Sequence, residues 1–336
     1  MNQAAIKVGF SGLTGMIGRN FLDLYCREPQ LRQRFALVAL RRSADCPQFL
    51  QRAGVRCRCI DFADVNSFEG ALEDLDVFLH FAGAVRTVRT MDFYTGNRDA
   101  TKTVIDAVSR FGGRLQQLLF ASSQAAAGPS PDPARLRQED WPPAPVSHYG
   151  RSKLLAEKEI KASAVNWTIL RLSPVFGPHD HDGLLILRAA RAGMMPIIGP
   201  RPQFMSYIHA QDLARLLPQM ILNERMYRGT FNVCYDTPID LLEYCRKARG
   251  AMGLPLRVLG LSLPRASGCV AMGYLAVERF LSRRPSIRQP DKVRELMARY
   301  WVQDNHRLRE ALGMCEIREQ GALAEAIAWF QAEGLL

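Results

Sequence analysis

The sequence predicts an α/β fold, a doubly wound parallel sheet with a smaller, mainly helical C-terminal part. Three observations predict it. Strand-like and helix-like stretches alternate through the first half. A run of glycines follows directly on the first strand-like stretch, in "VGFSGLTGMIG". After about Pro178 the alternation gives way to short helical stretches and scattered strands.

The elements follow in order. "AIKVGFS" reads as a strand and "GMIGRNFLDLYCRE" as a helix, from the spacing of its apolar residues. "RFALVAL" and "VRCRCI" are the second and third strands. "VFLHFAG" is the fourth, continuously apolar as a strand covered on both faces must be. "NRDATKTVIDAVSRFG" is a helix stopped by glycine. "LQQLLFASS" is the fifth strand, "HYGRSKLLAEKEIKASA" a helix, and "WTILRLSPVFGP" the sixth strand with its exit loop. Residues 1–178 are therefore expected to form a nucleotide-binding domain, and residues 179–336 mainly a substrate domain, with a segment around 204–233 returning to the first. In the second part "LLILRAARAG", "AQDLARLLPQMIL" and "PIDLLEYCRKARGAMG" read as helices, and "TFNVCY" as an isolated strand.

Glycines stand at positions 9, 12, 15 and 18, and a phosphate-binding turn needs three. With a strand from Ile6 to Ser11, Gly12 makes the sharp turn. Gly15 then lets the backbone approach a pyrophosphate at the helix N-terminus, and Gly18 lets the helix pack closely. Gly9 lies inside the strand. At the end of the second strand Arg41 and Arg42 stand where an adenosine ribose would lie. A carboxylate there would accept from a 2′-hydroxyl, whereas arginine suits a 2′-phosphate, so NADP is expected, with NAD as the alternative. Asp61, ending the third strand, either accepts from the adenine amino group or is a plain turn residue.

Tyr149 and Lys153 in "HYGRSK" are spaced i, i+4 and share a helix face. A phenol titrates near 10 and is a poor acid or base at neutral pH, at about that value in model compounds. A neighbouring ammonium favours its phenolate, so Lys153 is expected to lower the pKa of Tyr149. A tyrosine so tuned passes a proton to or from a hydroxyl or carbonyl oxygen, and Ser123 would reach the same oxygen.

These stations together resemble the extended short-chain dehydrogenase/reductase family. "SGLTGMIG", "DFAD", "HFAG", "GNRDATKTVIDA", "SSQAAAG", "YGRSK", "LRLSPVFGP" and "YIHAQDLA" follow in the family's order across essentially the whole chain. The resemblance implies a Rossmann domain, a nicotinamide cofactor, and Ser123, Tyr149 and Lys153 as the catalytic triad. It further implies cofactor contacts at Gly12, Gly15, Met16, Ile17, Gly18, Arg41, Arg42, Asp61, Phe62, Phe81, Ala82, Gly83, Asn97, Ser122, Tyr149, Lys153, Pro174 and Val175. Val85, Gln124 and Tyr207 are the implied substrate contacts, and a homodimer through two long helices of the Rossmann domain is the implied assembly.

Departures from the family pattern narrow the branch. Family dehydratases carry Thr-Asp-Glu at the serine station, where this chain reads Ser123, Gln124, Ala125. Nucleotide-sugar enzymes often carry Asn where Pro174 stands, and a phosphate-pairing Arg where Met205 stands. Desolvating a diphosphate without such partners is costly. An uncharged, lipophilic small-molecule substrate is therefore expected, and "RLSPVFGP" is similar to the loop common in the 3-beta-hydroxysteroid-dehydrogenase-like and dihydroflavonol-reductase-like branch of the family. The expected function is an NADP-dependent oxidoreductase of a secondary alcohol or ketone. The alternatives are a nucleotide-sugar epimerase with tightly bound NAD and a non-catalytic dinucleotide-binding protein.

The net charge of +11 suits nucleic acid, anionic lipid or an anionic ligand. No run of basic residues interleaved with aromatics marks a nucleic-acid platform, so no nucleic-acid partner is expected. The apolar, arginine-flanked stretch 255–285 reads as an ordinary packed helix of the second part, with a lipophilic pocket lining or a peripheral membrane contact as the alternatives. The first residues lack a signal-peptide pattern, and the eight cysteines show no framework spacing, so a cytoplasmic protein with reduced cysteines is expected. "PHDHDG", residues 178 to 183, crowds histidine and aspartate, but adjacent loop residues converge poorly on one ion. It is read as a pocket rim, with no metal. His80 reads as a hydrogen-bonded strand histidine.

Overall fold

The computed structural model describes residues 4–198, 202–264, 266–270, 274–275 and 290–336. Strand β1 (Ile6–Ser11) leads through a turn at Gly12 into helix α1 (Met16–Arg27). Strands β2 (Phe35–Arg41), β3 (Arg56–Cys59) and β4 (Val77–His80) follow. Helix α2 (Ala100–Phe111) leads to β5 (Gln117–Ser123), and α3 (His148–Lys161) to β6 (Trp167–Leu172). Helix α4 (Ala210–Met220) precedes β7 (Gly229–Val233), and α5 (Pro290–Met297) lies beyond.

The seven strands form one parallel sheet in the order β7-β6-β5-β4-β1-β2-β3. The order reverses between β1 and β4, the switch point at which open α/β sheets bind ligands in the crevice outside the carboxyl ends of the strands. This is the Rossmann-type fold that the alternation predicts. Val8, Phe10, Val77, Phe78, Leu79, Leu119 and Phe120 are fully buried, because helices cover both faces of the sheet.

Three expectations are corrected. "TFNVCY" is not an isolated strand: its residues supply β7, which pairs with β6 from Gly229↔Thr168 to Val233↔Leu172. Propensity marks such a strand but not its partner. The helix read from "NRDATKTVIDAVSRFG" begins earlier, at Met91, and passes through a π-helical turn from Tyr94 to Asp99 before α2. That turn carries Asn97, whose amide is bound to the backbone of Ala84 on both sides, donating to its carbonyl at 3.0 Å and accepting from its N–H at 2.9 Å. Finally, the cysteines are not all free. Cys46 and Cys57 form a disulfide, since the loop after β2 folds back on β3 and brings their Cα atoms within 5.7 Å. The cysteine argument for a reducing compartment therefore lapses. No helix among the described residues is long and apolar enough to cross a membrane.

Candidate active site

The glycine loop has the geometry a phosphate cradle requires. Gly12 has φ +86°, and a Cβ there would lie 2.8 Å from the Ala82 nitrogen and 2.9 Å from the Phe81 carbonyl carbon. The turn thus packs directly on the loop after β4. Gly15 is the N-cap of α1, with no side chain capping it, so the N–H groups of the first turn, at Met16 and Ile17, are presented at the crevice. A Cβ at Gly18 would fall 2.4 Å from the Leu13 Cα, so only glycine allows α1 to sit this close to its own turn. Gly9 lies within β1, packed against Leu75. The residues present fit a dinucleotide's pyrophosphate.

At the adenosine end the side chains are looser. Arg41 donates to the Asp45 carbonyl, and Arg42 is exposed. Asp61 spends one carboxylate oxygen on the Ala63 N–H, at 2.9 Å, as a turn residue does. The Phe62 ring stacks on His80 at 5.7 Å. His80 is buried and held neutral, its pKa pushed down to about 3 by burial. Its Nδ1 meets Ser11 Oγ at 2.9 Å and its Nε2 meets Thr101 Oγ1 at 3.3 Å, so it is a satisfied core histidine.

At the other end the groups converge. A Cβ at Gly83 would lie 2.8 Å from Asn97 Oδ1 and 3.0 Å from Lys153 Nζ, so Gly83, Asn97 and Lys153 meet at one point. Asn97 also donates to Ser152 Oγ at 2.9 Å. Lys153 Nζ donates to the Ala121 carbonyl at 2.8 Å and lies 4.8 Å from the centre of the Phe120 ring. Burial pushes its pKa down to about 8, with Glu157 opposing. Ser123 hydrogen-bonds with Tyr149, and its Oγ also accepts from the Ala125 N–H at 3.1 Å.

The expected lowering of the Tyr149 pKa is corrected. Burial, reinforced by the charge of Glu295, raises it well above the ordinary value, and the bond with Ser123 lowers it only in part. The physical reason is that Lys153 points its ammonium at a backbone carbonyl while the phenol sits in a desolvated setting.

Some expected contacts fall elsewhere. The Ser122 hydroxyl donates to Glu157 Oε1 at 2.6 Å, leaving only its backbone for the crevice. Glu157 in turn accepts from Arg171 at 3.0 and 2.9 Å, a fully buried pair. The Tyr207 ring is packed among Tyr235, Tyr244 and His209, so a core role replaces its expected substrate contact. Pro174 accepts from the Ile208 N–H at 3.1 Å, and Val175 pairs with Ile208, which fixes the loop after β6. Val85 is exposed, whereas Gln124 is buried with its Oε1 unpartnered. The side chains of "PHDHDG" diverge: His179 meets Asp23 at 3.4 Å, Asp180 caps Asp182 and Gly183, and Asp182 pairs with Arg86. No group of three metal-binding side chains is found among the described residues.

Sequence reasoning missed Asp291 and Glu295 on α5. Asp291 accepts from the His148 and Tyr149 N–H groups at 2.8 and 2.9 Å, and Glu295 accepts from Ser147 Oγ at 2.7 Å. Their i, i+4 spacing marks one helix face, but nothing local points to a helix some 140 residues earlier.

A family model described as the NAD dependent epimerase/dehydratase family matches residues 10–234. The chain belongs to that family. It is therefore an NAD(P)-dependent enzyme of the extended short-chain dehydrogenase/reductase type. Among epimerase/dehydratase relatives, it is 24% identical to ceramide reductase of Caulobacter vibrioides, over 98% of this chain and 96% of that one. It is 25% identical to UDP-glucose 4-epimerase of Azospirillum brasilense, over 76% of this chain and 73% of that one. The solved structure of MoeE5 in complex with UDP-glucuronic acid and NAD superposes with a TM-score of 0.71 at 19% identity, covering 97% of this chain and 99% of that one. The chain is thus similar both to a reductase and to a sugar-nucleotide epimerase.

Proposed function

We propose that the protein is an NADP-dependent reductase of an uncharged, lipophilic ketone. The observation that carries this reading is the placing of Ser123, Tyr149 and Lys153 together at the carboxyl end of the sheet, Ser123 bonded with Tyr149 and Lys153 meeting Gly83 and Asn97. The nicotinamide cofactor supplies the hydride. Tyr149 Oη donates the proton to the oxygen that becomes the alcohol. Ser123 Oγ polarises the same oxygen, and Lys153, which meets Gly83 and Asn97, holds the nicotinamide ribose. Gly12, Gly15 and Gly18 seat the pyrophosphate, and Arg41 and Arg42 meet the 2′-phosphate.

The substrate class rests on what stands where charged anchors would. Pro174 is tied to Ile208, and Met205 lies in a small sheet opposite Ile239 and Trp301, so neither position offers a cation. The buried, unpartnered Gln124 Oε1, adjacent to Ser123, suits a substrate that donates one hydrogen bond. The similarity to the ceramide reductase extends over nearly the whole chain, further than that to the epimerase. Residues 179–336 would then supply most of the substrate side.

A lipophilic substrate suits a protein that rests on a bilayer. Leu256, Leu259, Leu261 and Leu263 are exposed, and Arg246 and Arg257 line one surface concavity with Leu256 and Leu259. We read this face as a peripheral contact with anionic lipid. The rest of the 255–285 stretch, 265 and 271–285, lies largely outside the described residues.

The test is a label trace. The purified enzyme and 4-deuterated NADPH are incubated with lipid and polar extracts, and the deuterium is located by mass spectrometry. Label in a lipophilic alcohol is the expected result. Unlabelled turnover of a sugar nucleotide would overturn the reading in favour of an epimerase. Sedimentation with phosphatidylglycerol vesicles, but not phosphatidylcholine vesicles, tests the membrane contact.

A further inference from the structure

We propose that Asp291 and Glu295 are positioning residues for the reaction: Asp291 clamps the first turn of the helix that carries Tyr149, and Glu295 holds the Ser147 cap of that same turn, two residues from the tyrosine. The proposal rests on Tyr149 being the proton donor, and it adds a contribution from beyond residue 234, where the family match ends.

The first turn of any helix leaves N–H groups without intrahelical partners. In α3 the Ser147 side chain accepts from the Gly150 N–H at 2.9 Å. Asp291 takes the two donors before it, at His148 and at Tyr149 itself, with one oxygen each. Glu295 then accepts from Ser147 Oγ, so the cap is itself held. Both carboxylates are nearly buried, and each has one cation on its own helix: Arg294 lies 3.4 Å from Asp291, and Lys292 lies 2.8 Å from Glu295. A carboxylate at a helix N-terminus is favoured by the helix dipole as well as by its hydrogen bonds.

The groups around Tyr149 leave Glu295 a distinct role. Ser123 faces it from β5, and Lys153 lies one turn along α3 with its ammonium on Ala121. Phe93 packs its ring 5.9 Å away, and Tyr94 binds the neighbouring His148 at 3.0 Å. Glu157, further along α3, is matched by Arg171. Glu295 is the carboxylate whose charge opposes the phenolate. It thereby opposes loss of the Tyr149 proton.

The test reads the phenol directly, without substrate. Protein labelled with 13Cζ-tyrosine is titrated by NMR, and Tyr149→Phe identifies the resonance. Glu295→Gln is expected to move the Tyr149 titration to lower pH, and Glu295→Asp to keep it near the parent. Asp291→Asn is expected to speed amide exchange at one of the pair His148 and Tyr149 by roughly tenfold or more, since one of the two accepting oxygens is lost. If Glu295→Gln does not fold, Lys292→Ala strips the partner from the Glu295 charge and is expected to move the titration upward. An unmoved Tyr149 titration in a folded Glu295→Gln or Lys292→Ala protein would overturn the proposal for Glu295, and unchanged amide exchange would overturn it for Asp291. Neither result depends on which substrate is reduced, so the reductase reading stands or falls separately.

Discussion

The two ends of the crevice are built differently. At the end proposed to hold the nicotinamide, Asn97, Ser152, Lys153 and Ser123 are bound to backbone or to one another, and buried groups surround them. At the adenosine end, Arg42 is exposed, Arg41 holds a loop carbonyl, and Asp61 closes a turn. Rigid burial suits chemistry, which needs atoms placed within fractions of an ångström. Exposed side chains suit selectivity between two cofactors that differ by one phosphate, where a charge in the right region is sufficient.

If that contrast holds, the largest effect belongs to the buried end. Tyr149→Phe should lower turnover by roughly a thousandfold or more while leaving nucleotide affinity, measured by fluorescence titration, nearly unchanged. Retained turnover would remove Tyr149 from the proton path. Next in size is the support beneath. Arg171→Met leaves Glu157 buried without its guanidinium and should cost about 3–5 kcal/mol in a denaturant melt. A loss under 1 kcal/mol would mean that the pair is dispensable.

The pH dependence is smaller but has a definite sign. The Lys153 pKa lies at about 8, below its ordinary value, so the ammonium is present under that pH and is lost as pH rises through it. Turnover in the reductive direction should therefore fall above about 8, and a Lys153→Met protein should lack that limb. The smallest change is expected at the exposed end. Replacing Arg41 and Arg42 together with Ala should weaken NADPH by about tenfold or more, and NADH little. Equal losses would show that the two arginines do not read the 2′-phosphate.

Much of the site was legible in the chain because its parts are local. Gly12, Gly15 and Gly18 follow a strand at fixed spacing, and Tyr149 and Lys153 share a helix face by periodicity alone. The strand boundary at Ser11 and the helix start at Met16 follow from the same local rules. What escaped depends on long-range contact. The Cys46–Cys57 disulfide needs the loop after β2 to fold onto β3. The placement of β7 beside β6 is a choice of partner, which propensity does not encode.

The raised pKa of Tyr149 belongs to the same class. From spacing, Lys153 should lower it, and an isolated helix would behave so. In the folded chain the ammonium is taken by the Ala121 carbonyl, the phenol is desolvated, and a carboxylate arrives from α5. Sequence by itself determined the elements, the glycine cradle and the residue types available for proton transfer, because these follow from covalent geometry and short-range periodicity. Tertiary structure alone decided in which direction the tyrosine's pKa is displaced and which groups brace it. Solvation and charge at an atom depend on everything packed around it, including residues far along the chain.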